Sequence, residues 1–228
     1  IELNGTAVTQ NIAGSMFTGK RIKDLWISNT NGVNFTGTND TLKLSGVLKF
    51  GVSNAILNTN NNLTLLSSAT GTASVGDMTN NGVNSGNDII GNVTVERYIP
   101  NHFKAWQFLA VPTKGATVNQ SWQEGNTPLS NTTHPGYGTI ITSNIPGAVA
   151  LGFDVYTSPG PSMKSFDTTT NGWVGIANTG LPIANKKGYM LFVRGDRSVT
   201  ASNLPATSTI LRTTGKLYTT GLESPATT

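Results

Sequence analysis

From Ile1 to about Ser68 the apolar residues stand two apart, in couplets divided by Asn and Gly. They are Leu25 and Ile27, Val33 and Phe35, Leu42 and Leu44, Leu48 and Phe50, and Leu63 and Leu65. A period of two sends both members of a couplet to the same face of a β-strand. The couplets at Leu25, Leu42 and Leu63 recur at a rung-like interval, and those at Val33 and Leu48 form a second series between them. The interval is roughly 20 residues, within the range of solenoid repeats. Such a repeat predicts parallel β-helix-like solenoid coils, because each coil exposes an apolar face that only the next coil covers. The irregular spacing keeps a meandering sandwich as the alternative.

The run Asn58-Thr59-Asn60-Asn61-Asn62 fits a turn or a stacked asparagine ladder, since Asn tolerates left-handed backbone. From Ala69 to Asp88 the chain is Gly, Ser, Asn and Thr with almost no large apolar residue. That stretch is the expected boundary, giving a solenoid-like region over 1–88 and a second module over 89–228. In the second module Val93 and Val95 alternate within Ile89–Pro100, and Ala105–Pro112 reads as a strand closed by proline. Further runs at Ala148–Tyr156, Trp173–Ile176, Gly188–Arg194, Thr209–Arg212 and Lys216–Tyr218 bring the set to about seven short strands. Seven strands with turn signals between them predict an antiparallel β-sandwich or jelly roll. The long polar segment Thr113–Thr139, with Trp122, His134 and Tyr137, is the expected place for a ligand, because long loops on rigid sheets carry binding.

Composition agrees with strand and turn. Gly numbers 26 and only 11% of residues are charged, under half the usual share of about 25%. Cysteine is absent, which excludes a disulfide framework, a thiolate metal site and a cysteine nucleophile. No run approaches the roughly 18 apolar residues of a membrane-spanning helix, so membrane insertion is not expected. The start at Ile1 and the polar tail Glu223–Thr228 suggest a piece of a longer chain, with further domains as neighbours. The net charge of +4 is scattered, without the basic stripe that nucleic acid requires.

Several runs carry a resemblance. They are Asn62–Ala73, then Ile90–Pro100 leading into Lys104–Pro112, then Lys187–Arg197, then Thr209–Leu217. In order and spacing they resemble large secreted proteins of Bacteroidota exported by the type IX secretion system. Lys104 and Gln107 stand where those proteins usually have Arg. The resemblance implies an adhesin-like, multidomain cell-surface protein, an extracellular location and contact with the secretion machinery. It implies no reaction. It also draws attention to Asp40-Thr41-Leu42 and Asp167-Thr168-Thr169, similar to the O-glycosylation signal of that group, which makes Thr41 and Thr168 candidate glycan carriers.

Other motifs read as structure. Arg194-Gly195-Asp196 spells a receptor-binding tripeptide, but it ends a strand, where a Gly-Asp turn is natural. Glu96 and Arg97 fall on opposite faces of their strand, and Arg97 is expected to pair with a carboxylate such as Asp154. The 11 acidic residues are scattered, with no pair set up for acid–base catalysis. His102 and His134 form no local metal motif and read as loop histidines. No Gly-x-Ser-x-Gly elbow is present. The sequons at Asn4, Asn34, Asn39, Asn62, Asn92, Asn119 and Asn131 are what chance gives in a chain so rich in Asn and Thr. Among the tryptophans, Trp26 and Trp106 are embedded in strands and expected in the core. Trp122 and Trp173 lie beside loops and, with Tyr137, are the candidate ligand-binding residues.

The leading expectation is a non-enzymatic structural or adhesive module with no cofactor and no metal, in which coils form a stalk and the second module presents loops. A glycan-binding module working through Trp122, Tyr137 and Trp173 is the rival. A polysaccharide-cleaving enzyme built on the coil is the third reading, set back by the lack of concentrated acidic and basic residues. Surface glycans and self-association through edge strands are the expected contacts beyond the chain's own neighbouring domains.

Overall fold

The computed structural model describes residues 1–126, 135–157, 159–183 and 187–218. His134, the sequon at Asn131 and the tail Glu223–Thr228 lie outside the described residues. The described chain is all-β apart from two short 3-10 turns, Gly14–Met16 and Thr18–Lys20. Its described residues divide into two compact units, one of Ile1–Val95 with residues 215–218, the other of residues 96–214. No helix of the described residues is long and apolar enough to cross a membrane.

The first unit is a β-solenoid of about three turns. Its strands stack into three parallel faces. The first holds Glu2–Leu3, Leu25–Ile27, Val47–Phe50 and Ser74–Val75, and the second holds Gln10–Ile12, Val33–Phe35, Ile56–Asn58 and Asp88–Ile90. The third carries Arg21–Ile22, Leu42–Leu44, Leu63–Leu65 and then Val93–Val95. Leu3 pairs with Ile27 and Ile27 with Phe50, so one turn of the coil carries the chain from Leu3 to Ile27 and the next from Ile27 to Phe50. The two series expected from the couplets are therefore three. Leu42 and Leu44 do stack on Leu63 and Leu65, but Leu25 and Ile27 stack on Leu48 and Phe50, and Val33 stacks on Leu57.

Couplet residues fill the coil. Leu25, Ile27, Leu42, Leu44, Leu48, Leu57 and Ile89 are fully buried in one continuous core. The stretch Ala69–Asp88 belongs to this unit, for Ser74–Val75 pairs with Val47–Leu48 and Asp88–Ile90 with Ile56–Asn58. Its scarcity of large side chains reflects corners rather than departure from the coil, and the solenoid runs on through Val95.

Asparagines tie successive coils at the corners. Asn31 Nδ2 donates to Thr6 O, Asn60 Nδ2 to Phe35 O and Asn62 Nδ2 to Gly37 O, while Asn61 Oδ1 accepts from Asn92 N. Asn60 and Asn61 have φ of 44° and 62°, the left-handed conformation that Asn adopts at least cost among residues with a side chain. The bend between the last two strands needs glycine. Gly91 has φ +89°, and a Cβ there would sit 2.6 Å from Thr59 Oγ1.

In the second unit an antiparallel sheet runs in the order Ala105–Ala110, Gly188–Val193, Met163–Asp167, Gly172–Gly175. Strand Thr209–Leu217 has Thr113–Lys114 beside it. The core gathers Ile99, Val111, Leu211, Trp122, Ile141 and Phe153 with Met163, Tyr189, Leu191 and Val193. Long irregular segments between these strands hold a buried polar network. Asp154 Oδ2 accepts from Gln123 Nε2 at 2.8 Å, Ile141 N at 2.7 Å and Arg197 Nη1 at 2.9 Å. The partner of Asp154 is thus Arg197 and not Arg97, whose side chain faces solvent because its strand turns Glu96 inward.

Candidate functional site: an aromatic sheet face

Alternation along the four-stranded sheet sorts its side chains into two sets. Met163, Tyr189, Leu191 and Val193 point into the core, whereas Trp106, Phe108, Phe166 and Trp173 are exposed on the opposite face. Register brings these outward residues together, with Trp106 opposite Phe192, Phe108 opposite Met190 and Phe166 opposite Trp173.

The rings touch one another. Trp106 meets Phe192 edge-on with centroids 5.2 Å apart, Phe166 meets Trp173 at 5.6 Å, and Phe108 meets Trp173 at 5.7 Å. Lys164 sets its ammonium 5.2 Å from the Trp106 ring centroid and the Arg194 guanidinium lies 5.0 Å from that of Phe192, cation–π contacts that place two positive charges at the rings. Phe108 is the most open of the set, 71% exposed. Trp106, Phe108, Phe166 and Trp173 thus leave four large apolar side chains open to water on one face of the sheet.

The candidate residues from the sequence fall in different places. Trp173 lies in the aromatic face. Trp122 is 3% exposed and packs edge-on against Tyr189 with centroids 6.1 Å apart, so its indole belongs to the core and is closed to a ligand. Tyr137 is half-buried under Arg212, whose guanidinium lies 4.1 Å from the ring centroid. Burial works against the charge of Arg212, but the Glu124 carboxylate it binds holds its pKa above the ordinary value. The structure therefore does not join Trp122, Tyr137 and Trp173 into one site.

The expectation for the strand tryptophans reverses as well. Trp26 is 44% exposed, with Lys49 Nζ 5.3 Å from its ring centroid, and Trp106 is 38% exposed. Each follows its strand's alternation, and for Trp26 the inward places are taken by Leu25 and Ile27. Reading Ala105–Ala110 by period would have put Trp106 and Phe108 on one face, which is the signal that was available.

The remaining candidates are local. Thr168 is exposed at the tip of the hairpin joining Met163–Asp167 to Gly172–Gly175. Asp167 beside it is held below the usual carboxylate range by the Thr169 amide and the Thr170 hydroxyl. Thr41 is half-buried at the entry to Leu42–Leu44. In the Arg-Gly-Asp tripeptide, Arg194 is 5% exposed, stacks 4.3 Å from the Tyr156 ring centroid and donates to Ile140 O. Asp196 accepts from Gly136 N and Ser198 N, and Gly195 has φ +129° with Thr207 packed against it. The tripeptide is an internal turn.

A depression of about 520 Å³ lies elsewhere in this unit, lined by Thr117, Asn119, Gln120, Asn126, Leu151 and Thr179. Asn119 turns its amide inward, donating to Asn126 O and Gln123 Oε1. No group of three His, Cys, Asp or Glu able to hold a metal ion occurs among the described residues. No family model, no curated protein and no solved structure matches this chain.

Proposed function

We propose that this chain is a non-enzymatic structural and adhesive module of a large secreted bacterial cell-surface protein. The solenoid serves as a rigid spacer, and the second unit, read as a β-sandwich, offers the aromatic sheet face to a partner. The observation that carries this reading is that face. Five aromatic rings from Trp106, Phe108, Phe166, Trp173 and Phe192 lie together on the side of the sheet away from its core.

The sandwich reading is supported by a core that draws Ile99 and Leu211 together with Tyr189, Leu191 and Met163, as two facing layers do. The extracellular location, the multidomain parent protein and the type IX route are supported by the sequence resemblance over Asn62–Leu217. Absence of cysteine is compatible with export, because a stacked coil buries a core without disulfides.

The tilt of the rings bears on the partner. Their planes stand at 54° to 73° to one another, so they make an irregular apolar surface and not a level platform on which successive sugar rings stack. This favours a protein partner over a glycan. The test is an array of extracellular-matrix proteins, bacterial surface proteins and glycans probed with the chain and with its Phe166→Ala, Trp173→Ala double variant. Binding to a protein target that the variant loses is the expected result. Silence across the array, or equal binding by the folded variant, overturns the adhesive reading, and a signal confined to glycans replaces it with a carbohydrate-binding module.

A further inference from the structure

The strand Ala105–Ala110 ends its sheet, with Gly188–Val193 as its one neighbour there among the described residues. Which of its backbone groups face outward follows from the ladder. Phe192 N donates to Ser162 O, so Phe192 and Met190 turn their backbone toward Met163–Asp167, and Val193, Leu191 and Tyr189 turn theirs toward Ala105–Ala110. In an antiparallel pair the hydrogen-bonded positions alternate, so Ala105, Gln107 and Leu109 bond inward. Trp106, Phe108 and Ala110 direct their N–H and C=O groups to the open edge.

Natural sheets guard such edges with charge, proline or a bulge. This strand reads Ala-Trp-Gln-Phe-Leu-Ala, without a charge or a proline, and its register with Gly188–Val193 is unbroken from Ala105 to Ala110. We propose that this edge is a self-association site, at which a second copy of the chain adds the same strand antiparallel about a twofold axis through Phe108.

The register follows from the side chains. Antiparallel self-pairing centred on Phe108 sets Trp106 opposite Ala110 of the second copy, Gln107 opposite Leu109 and Phe108 opposite Phe108. The largest side chain of the strand then meets one of its smallest, on each side of the axis. The three outward residues meet one another, so each of the three pairs closes two backbone hydrogen bonds. No like charges meet across the strands, since none lies between Ala105 and Ala110. The aromatic face becomes continuous, with the two Phe108 rings adjoining at the axis, about 5.5 Å apart between Cα atoms. A twofold interface of this kind is closed, so it yields a dimer and not a fibre.

The test uses the full chain in sedimentation velocity over a wide concentration range, with Phe108→Lys and Phe108→Glu beside it. Phe108 is 71% exposed, so both variants fold, and circular dichroism verifies this. The wild type is expected to show a concentration-dependent monomer–dimer equilibrium. Each variant alone sets like charges against each other at the axis and weakens the dimer at least tenfold, since directly opposed like charges destabilise a strand pair. Mixing the two variants restores a heterodimer, because Lys then faces Glu. A wild type that stays monomeric at every concentration overturns the proposal, as does dimerisation unaffected by either variant. Loss in both variants without rescue on mixing overturns the Phe108-centred register. The outcome does not depend on the adhesive reading, which is tested at Phe166 and Trp173.

Discussion

Arg197 holds Asp154 from both sides, with Nη2 2.7 Å from Oδ1 and Nη1 2.9 Å from Oδ2, and both side chains are almost wholly buried. The pair fastens the irregular segment around Ile141 and Asp154 to the turn after Gly188–Val193, since Arg197 Nη1 also donates to Thr139 O. Removing the cation leaves a carboxylate sealed from water with only Gln123 and the Ile141 amide to bond it. We expect Arg197→Met to cost about 3–5 kcal/mol, read as a lower denaturant midpoint in urea unfolding. A cost below about 1 kcal/mol would show that water reaches Asp154.

Two tryptophans differ in what surrounds them, one buried and one open to water. Trp122 fills the core beside Tyr189, so Trp122→Ala is expected to destabilise the second unit by about 3–5 kcal/mol, the usual loss for a large buried ring. Trp173→Ala removes a ring that water already reaches and is expected to cost less, about 1–2 kcal/mol, mainly its two ring contacts with Phe108 and Phe166. Thermal unfolding of the two variants side by side checks the contrast.

That contrast shows how far the sequence could be read. Leu42/Leu44 over Leu63/Leu65 was legible because both couplets sit on one face, in register on adjacent coils. The third face was not, because the long spacings between strands of one face are interleaved with the shorter steps from one face to the next, and corner lengths vary. Trp122 was misplaced since a polar neighbourhood in the chain says nothing of what the fold lays over it. Trp106 was misplaced for a different reason, as membership of a strand leaves the choice of face open until its partners are known. The pairing of Asp154 with Arg197 joins segments far apart in the chain and left no local signal.

Gly91 offers a test of the coil corners. Its φ of +89° is costly for any residue with a Cβ, and that atom would press on Thr59 Oγ1, which lies 3.1 Å from Ile90 O and 2.9 Å from Asn92 O. Gly91→Ala is expected to cost about 2 kcal/mol or more, part from backbone strain of about 1–2 kcal/mol and the rest from displacing Thr59. In a Thr59→Ala background the same substitution should cost less, since only the backbone part remains. Equal costs in the two backgrounds would place the whole effect in the backbone.

Asp40 gives the solenoid a pH dependence of definite sign. Its carboxylate binds the Lys20 ammonium, with Oδ1 and Nζ 2.8 Å apart, and accepts from the amide and hydroxyl of Ser15 at 2.9 and 2.7 Å. Lys20 is the largest influence, followed by the Ser15 amide, and together they lower the pKa from 3.8 to about 2. A group whose pKa is lower folded than unfolded stabilises the fold above its unfolded value. That contribution is complete above the unfolded pKa of 3.8 and is lost as pH falls toward the folded value of about 2. Asp40→Asn keeps the shape but cannot ionise, so its unfolding midpoint should fall less between about pH 6 and about pH 2.5 than that of the wild type. Lys20→Met should flatten the dependence partway, because the Ser15 hydrogen bonds still favour the carboxylate. Parallel curves for wild type and Asp40→Asn would mean that Asp40 keeps the same partners in the unfolded chain, or that the corner formed by Ser15, Lys20 and Asp40 opens in solution.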